Sequence, residues 1–257
     1  MEWVAGLPAL LVDGRLKRPL AFALAVAAAI ALAPVASHSV GAVERQRSLP
    51  ACSTVADGVT GATAAGQLIT VIAPTVRSET ATLNLYVRRG GCFRLEAGPY
   101  SALVGRNGLS AHHVEGDDTT PIGLFAFQST MYGVLPNPGV AYRYHRLVCG
   151  DWWDEQSSSA LYNHFVHVPC GTKPNFGGGS EALWQNTPSY DYFAVIAYNR
   201  HPIVPGRGSA IFLHVWNGHA TTGCVSIPVA DLLRVLRALR PNLHPLIDIT
   251  TRALLAQ

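Results

Sequence analysis

A histidine and a cysteine stand ten residues apart in the stretch SAIFLHVWNGHATTGCVSIP, residues 209–228. These are the residue types that acyl transfer through a thioester requires. A thiol that ionises near ~8.5 is a weak nucleophile at neutral pH, and an adjacent imidazole or a set of backbone N–H groups activates it. Cys224 lies in the turn Thr221-Thr222-Gly223-Cys224, and His214 in the apolar run Ser209 to Val215, which reads as a buried strand delivering an imidazole to its end. Gly223 lets the backbone turn sharply, so the N–H groups of Thr222, Gly223 and Cys224 could face the oxyanion formed on a substrate carbonyl. His219, Thr221, Val215 and Arg200 are further candidates for a base or substrate role. Taken alone, the pair reads sooner as a disulfide half or buried small hydrophobe and a satisfied core histidine than as a catalytic pair.

Rigid elements must hold such a pair. The clearest helix runs from Val229 to Arg240: Pro228 suits its first turn, Asp231 complements its positive end, and Pro241 stops it. Leu232, Leu233, Val235, Leu236 and Leu239 fall on one face, so the helix should pack beside the cysteine loop it follows. Upstream, Gln67 to Ala73 is a short apolar strand, and Ala81 to Val87 alternates with Leu83, Leu85 and Val87 on one side. Arg88-Arg89-Gly90-Gly91 turns that strand back into Cys92 to Glu96 as a hairpin. Short strands and Gly/Pro turns continue through Asn199, and Leu246 to Ile249 reads as a closing strand. The pattern predicts a mainly β domain, a β-sandwich or flattened barrel with one helix in its C-terminal region.

The run IFLHV followed by TTGCVSIP resembles the active-site signature of the L,D-transpeptidase catalytic-domain (YkuD-type) family, in a branch with a Thr-x-Gly-Cys-Val turn. VGRNGLS (Val104 to Ser110), EGDDTTPIGLFAF (Glu115 to Phe127) and AVIAYN (Ala194 to Asn199) are similar to that family's blocks, in the same order. The resemblance spans roughly Gln67 to Thr250. It implies a YkuD-like sandwich or flattened barrel, Cys224 as nucleophile, His214 as base, no cofactor, and peptidoglycan stem peptides as partners. The reaction implied is the joining of third-position residues of two stems through a thioester acyl-enzyme. It also places Thr120-Pro121-Ile122-Gly123 as a loop beside the donor cleft, structural first and substrate-contacting second. In two respects the chain departs from the pattern. Thr222 occupies a position where much of the family has histidine, and the spacing from His214 is short, which leaves His219 as an alternative base. Hydrolysis by a cell-wall cysteine carboxypeptidase or endopeptidase, and a non-catalytic wall-associated domain, are the competing readings.

Residues 1–42 read as a signal peptide or an N-terminal membrane anchor: Arg15, Lys17 and Arg18 precede an uncharged run over residues 19–36, and Val40-Gly41-Ala42 offers a cleavage signature. Residues 43–66 read as a Ser/Ala/Gly/Thr-rich linker, and residues 67–257 as the catalytic domain. The formal charge of +3 includes Arg15, Lys17 and Arg18 against Glu2 and Asp13, so the exported part carries about +2, with no basic run that would suit nucleic acid. Only Lys17 and Lys173 are lysines, a usage that suggests a GC-rich bacterial genome. All five cysteines follow the leader, and an odd number outside the cytoplasm implies paired ones and one left free. With Cys224 free, the other four can pair in three ways; neighbourhood in the chain favours Cys52 with Cys92 and Cys149 with Cys170. No two cysteines have metal-ligand spacing, and Glu115, Asp117 and Asp118 lack the pattern of a calcium loop, so no metal is expected. Trp152, Trp153 and Trp184 read as core or loop anchors, residues 176–180 as a glycine-rich loop, and Arg143, Arg146 and Arg200 as candidates to hold a substrate carboxylate.

Overall fold

The computed structural model describes residues 52–255, so the expected leader and the first part of the expected linker lie outside the described residues. Among the described residues no helix is long and apolar enough to cross a membrane. Residues 52–66, expected as linker, pack onto the domain. A 3-10 turn at Val55–Gly58 and the buried Ala56, Ala62 and Ala65 lie against Leu68, Tyr86 and Phe93. Small side chains permit this close approach, and Arg88 fixes it by donating to the carbonyls of Ala62 and Ala65 at 2.8 and 2.9 Å.

The chain then builds β1 (Gln67–Ala73), β2 (Thr80–Arg89) and β3 (Cys92–Leu103) as an antiparallel meander. Gly90 and Gly91, with φ of 59° and 84°, make the two-residue turn between β2 and β3, a conformation that twists with the strands and that side chains resist. The two-residue strands β4 (Leu109–Ser110) and β5 (Thr120–Pro121) pair with each other, and β6 (Gly123–Gly133) and β7 (Arg143–Arg146) follow. A separate small sheet is formed by β8 (Asp151–Asp154), β9 (His164–His167) and β10 (Glu181–Ala182). β11 (Phe193–Ile196), β12 (Phe212–Val215), β13 (Val225–Ile227), helix α1 (Val229–Ala238) and β14 (Leu246–Thr251) complete the domain.

The large sheet runs β11-β12-β13-β3-β2-β1-β14-β6-β7, and β11 also pairs with β6, so the strands from β11 to β6 close on themselves with β7 attached outside. The fold is therefore mainly β, a flattened barrel of the expected class, with α1 packed against it. Closure removes the open edges that a sheet of this width would expose. Inside lie Ile69, Val71, Leu83, Leu85, Leu213, Val215, Val225, Ile227, Ile247 and Ile249, and α1 adds Leu232, Val235 and Leu236. Each such side chain stabilises the fold by about 1.5–3 kcal/mol before chain entropy is counted. Gln67 holds the far end of α1 from both sides: it donates to the Ala238 carbonyl at 2.9 Å and accepts from the Arg240 N–H at 2.7 Å.

Cys52 is bonded to Cys92 and Cys149 to Cys170, which leaves Cys224 as the free thiol. The second bridge closes the base of the β8–β9 hairpin. Unfolded without reductant, the protein should take up one equivalent of iodoacetamide, at Cys224, and five after reduction. Replacing Cys149 and Cys170 together by serine should lower unfolding free energy by about 3 kcal/mol in a urea titration. Uptake at any other cysteine before reduction would contradict the pairing.

Candidate active site

β12 and β13 are parallel neighbours, with Leu213 opposite Val225 and His214 opposite Ser226. Because side chains alternate along a strand, Leu213, Val215 and Val225 enter the main core while Phe212 and Cys224 face a second apolar cluster with Phe193 and Ala210. His214 shares the face of Phe212, so imidazole and thiol are diagonal neighbours on one side of the sheet. Both line a cavity of about 320 Å3 together with Glu181, Tyr190, Asn217 and Thr221.

The Cys224 loop is held by its backbone geometry and by hydroxyls around it. Gly223 has φ 147°, in the region side chains avoid, and a Cβ there would come within 3.1 Å of Ile211 and 3.2 Å of the Thr119 carbonyl. The Cys224 carbonyl accepts two hydroxyls, Thr221 Oγ1 at 2.6 Å and Thr120 Oγ1 at 3.2 Å. Thr120 also accepts from the Gly105 N–H at 2.8 Å, and in this way the expected Thr-Pro-x-Gly loop pins the cysteine turn to the segment just after β3. The Gly223 N–H is spent on Thr221 Oγ1 at 3.2 Å. The N–H groups of Thr222 and Cys224 have no protein acceptor among the described residues.

The sequence predicts a strand from Ser209, but the strand begins at Phe212. Ala210 is the reason, since its φ of 52° breaks the extended run, a conformation costing a non-glycine residue about 1–2 kcal/mol. Asn163 sustains it. Its buried Oδ1 accepts from the Ala210 N–H at 3.2 Å and from the Trp153 indole at 3.0 Å. The result is that the Cys224 thiol donates a hydrogen bond to the Ala210 carbonyl at 3.2 Å, while the sulfur accepts one from the Phe212 N–H at 3.3 Å.

Electrostatics follow from burial. His214 donates from Nδ1 to the Val215 carbonyl at 2.8 Å, since a carbonyl can only accept, which leaves Nε2 as the lone-pair nitrogen. Burial drives its pKa down to about 4 against the opposing pull of the Val215 and Ser189 carbonyls. Burial also pushes the Cys224 thiol well above its ordinary value, and negative charge on Glu181 and Glu155 adds to the effect, with the Phe212 N–H opposing. Free imidazole and free thiol are therefore both neutral near pH 7.

Sequence reasoning missed Glu181, which sits on β10 with no motif around it. Tyr190 donates its hydroxyl to Glu181 and sets its ring edge-on to His214, at 5.7 Å between centroids. A second cavity, of about 200 Å3, shares Glu181, Thr222 and Cys224 with the first and adds His113, Glu115, Glu155 and Ser209. Burial raises the carboxyls of Glu155 and Glu181 above the ordinary carboxylate range, Glu155 the further because Glu181, Glu115 and Asp154 surround it. His113 also faces Gly223, but its Nδ1 is engaged by Asp117 at 2.8 Å and burial lowers its pKa.

Of the remaining candidates, Thr221 and Val215 support Cys224 and His214 as described. His219 is exposed on its loop and lines neither cavity. Arg200 lies 5.9 Å over the Trp153 ring and donates to the Asn163 carbonyl, away from both cavities. Trp153 is fully buried, as a core anchor should be.

A family model described as the L,D-transpeptidase catalytic domain matches residues 75–247. No curated protein and no solved structure matches the chain.

Replacing Thr221 by valine strips one donor from the Cys224 carbonyl and the acceptor from Gly223. The expected cost is about 1–3 kcal/mol in denaturant unfolding, with slower alkylation of the native thiol. An unchanged midpoint and unchanged alkylation would show that the loop is held by other contacts.

Proposed function

Because this chain belongs to the L,D-transpeptidase catalytic-domain family, we propose that it cross-links peptidoglycan by joining the third-position residues of two stem peptides through a thioester on Cys224. The observation that carries this reading is a lone free thiol opening, beside a neutral imidazole, into a cleft between β12–β13 and the small β8–β10 sheet. A donor tetrapeptide enters with its scissile carbonyl near the sulfur. The thiol turns from the Ala210 carbonyl toward Nε2 of His214, gives it the proton and attacks the carbonyl carbon. The Thr222 and Cys224 N–H groups, free of protein acceptors, are suited to hold the oxyanion. His214 returns the proton to the departing amine, the terminal D-alanine. The side-chain amine of a second stem then resolves the thioester and restores the thiol.

The Val215 carbonyl keeps the imidazole in the required tautomer throughout. Two disulfides fit an exported enzyme, which is where its polymer substrate lies. Residues 1–42 would supply export, as a cleaved signal or as an anchor through residues 19–36.

With purified muropeptides, Cys224→Ala should form no cross-linked dimer, and His214→Asn should lower the rate by roughly 10²–10⁴-fold. His219→Asn should leave it unchanged. Incubation with a carbapenem should add the drug's mass to Cys224 in the wild type. Dimer formation by Cys224→Ala, or dependence on His219 in place of His214, would contradict the assignment.

A further inference from the structure

Two cavities converge on Cys224, and the side chains they share besides it are Glu181 and Thr222. We propose that Glu181 takes the proton an acceptor ammonium must shed before its nitrogen can attack the Cys224 thioester, an inference that rests on the transpeptidase reading above.

A side-chain amine arrives at neutral pH as an ammonium ion, which has no lone pair. Something in the cleft has to take one proton before attack and another during it. His214 can serve only once, because it must also return a proton to the departing sulfur. In full, the ammonium gives a proton to the Glu181 carboxylate, and the free amine nitrogen forms a bond to the thioester carbon. The nitrogen then gives its second proton to Nε2 of His214. The C–S bond breaks, and the thiolate takes that proton back from the imidazolium. The products are an amide, a neutral thiol, a neutral imidazole and a protonated Glu181, which returns its proton to water through the cavity it lines.

The surroundings suit this proton transfer. Glu181 is fixed by the Tyr190 hydroxyl, and Tyr190 also lies edge-on to His214, so one aromatic ring sets the spacing of both proton acceptors. The ionisable groups lining the two cavities are His113, Glu115, Asp118, Glu155, Glu181, Tyr190, His214 and Cys224, and among the described residues neither cavity is lined by lysine or arginine. A cation entering from either side therefore meets only neutral or negative groups. Glu155 lies beside Glu181 with a buried Oε1 that has no hydrogen-bond partner among the described residues. Burial also gives Glu181 a proton affinity that an exposed carboxylate lacks, while its partial opening to the cleft lets it exchange with water.

The test separates the two half-reactions in Glu181→Gln. Acylation of Cys224 by a carbapenem should be no slower than in the wild type, since a negative charge beside the developing thiolate is gone. Transfer from a stem-peptide thioester to a lysine-type amine at pH 7 should fall roughly 100-fold. Transfer to hydroxylamine, which is unprotonated at that pH, should be retained. The wild-type rate with the lysine-type amine should rise with pH through a transition near neutrality that Glu181→Gln lacks, and Glu181→Asp should recover part of the transfer. Equal loss with both amines, loss of acylation, or full transfer to the ammonium acceptor by Glu181→Gln would overturn the role of Glu181. A wild-type enzyme that is acylated but transfers to neither amine would overturn the transpeptidase reading along with it.

Discussion

Burial of the Cys224 sulfur in a site lined by carboxyls and, among the described residues, by no lysine or arginine sets the terms for everything else in this structure. A thiol there cannot rest as a thiolate, because desolvation and the charge on Glu181 both oppose it. The same desolvation keeps His214 uncharged. The resting pair is therefore neutral, and in the proposed reaction charge has to be created during the attack itself. A preformed thiolate–imidazolium pair would be reactive toward any accessible electrophile. A neutral one answers mainly to a carbonyl placed where N–H groups can receive its oxygen.

The scaffold serves that arrangement at each level. Parallel pairing of β12 and β13 puts His214 and Cys224 on one face, and the closed sheet prevents slippage between them. The left-handed Ala210, supported from below by Asn163, aims a carbonyl at the thiol and a peptide N–H, that of Phe212, at the sulfur. Thr120 on β5 and Thr221 in the cysteine loop converge on a single carbonyl oxygen. On the opposite wall, the Cys149–Cys170 bridge ties the hairpin on which β10, and with it Glu181, is paired. Its stabilisation thus reaches the cleft and not only the fold.

Much of the barrel was legible in the chain because its signals are local. The Gly90-Gly91 hairpin, the apolar β1 and the face of α1 each follow from residues within a turn or two, whereas the short strand Val225–Ile227 that follows Cys224 and pairs in parallel with β12 was not legible. The start of β12 was not legible, since alanine carries no hint of positive φ; Asn163, which sustains that conformation, is 47 residues away. Residues 52–66 look like a linker by composition, yet small side chains are also what a closely packed strap needs. Glu181 and Tyr190 are hidden for a related reason. They belong to a segment whose aromatics and glycines suggest only a loop, and their meaning comes from tertiary contact with His214 and Cys224. Arg200 illustrates the reverse case, a plausible substrate clamp whose guanidinium is occupied by a backbone carbonyl elsewhere.

The neutrality of the resting pair is most directly tested by following thiolate absorbance near 240 nm as the free enzyme is titrated, with Cys224→Ala as the blank. The signal should be absent at pH 7 and emerge only above the ordinary thiol range. A Cys224-dependent thiolate signal that persists through neutrality down to about pH 5 would contradict the account.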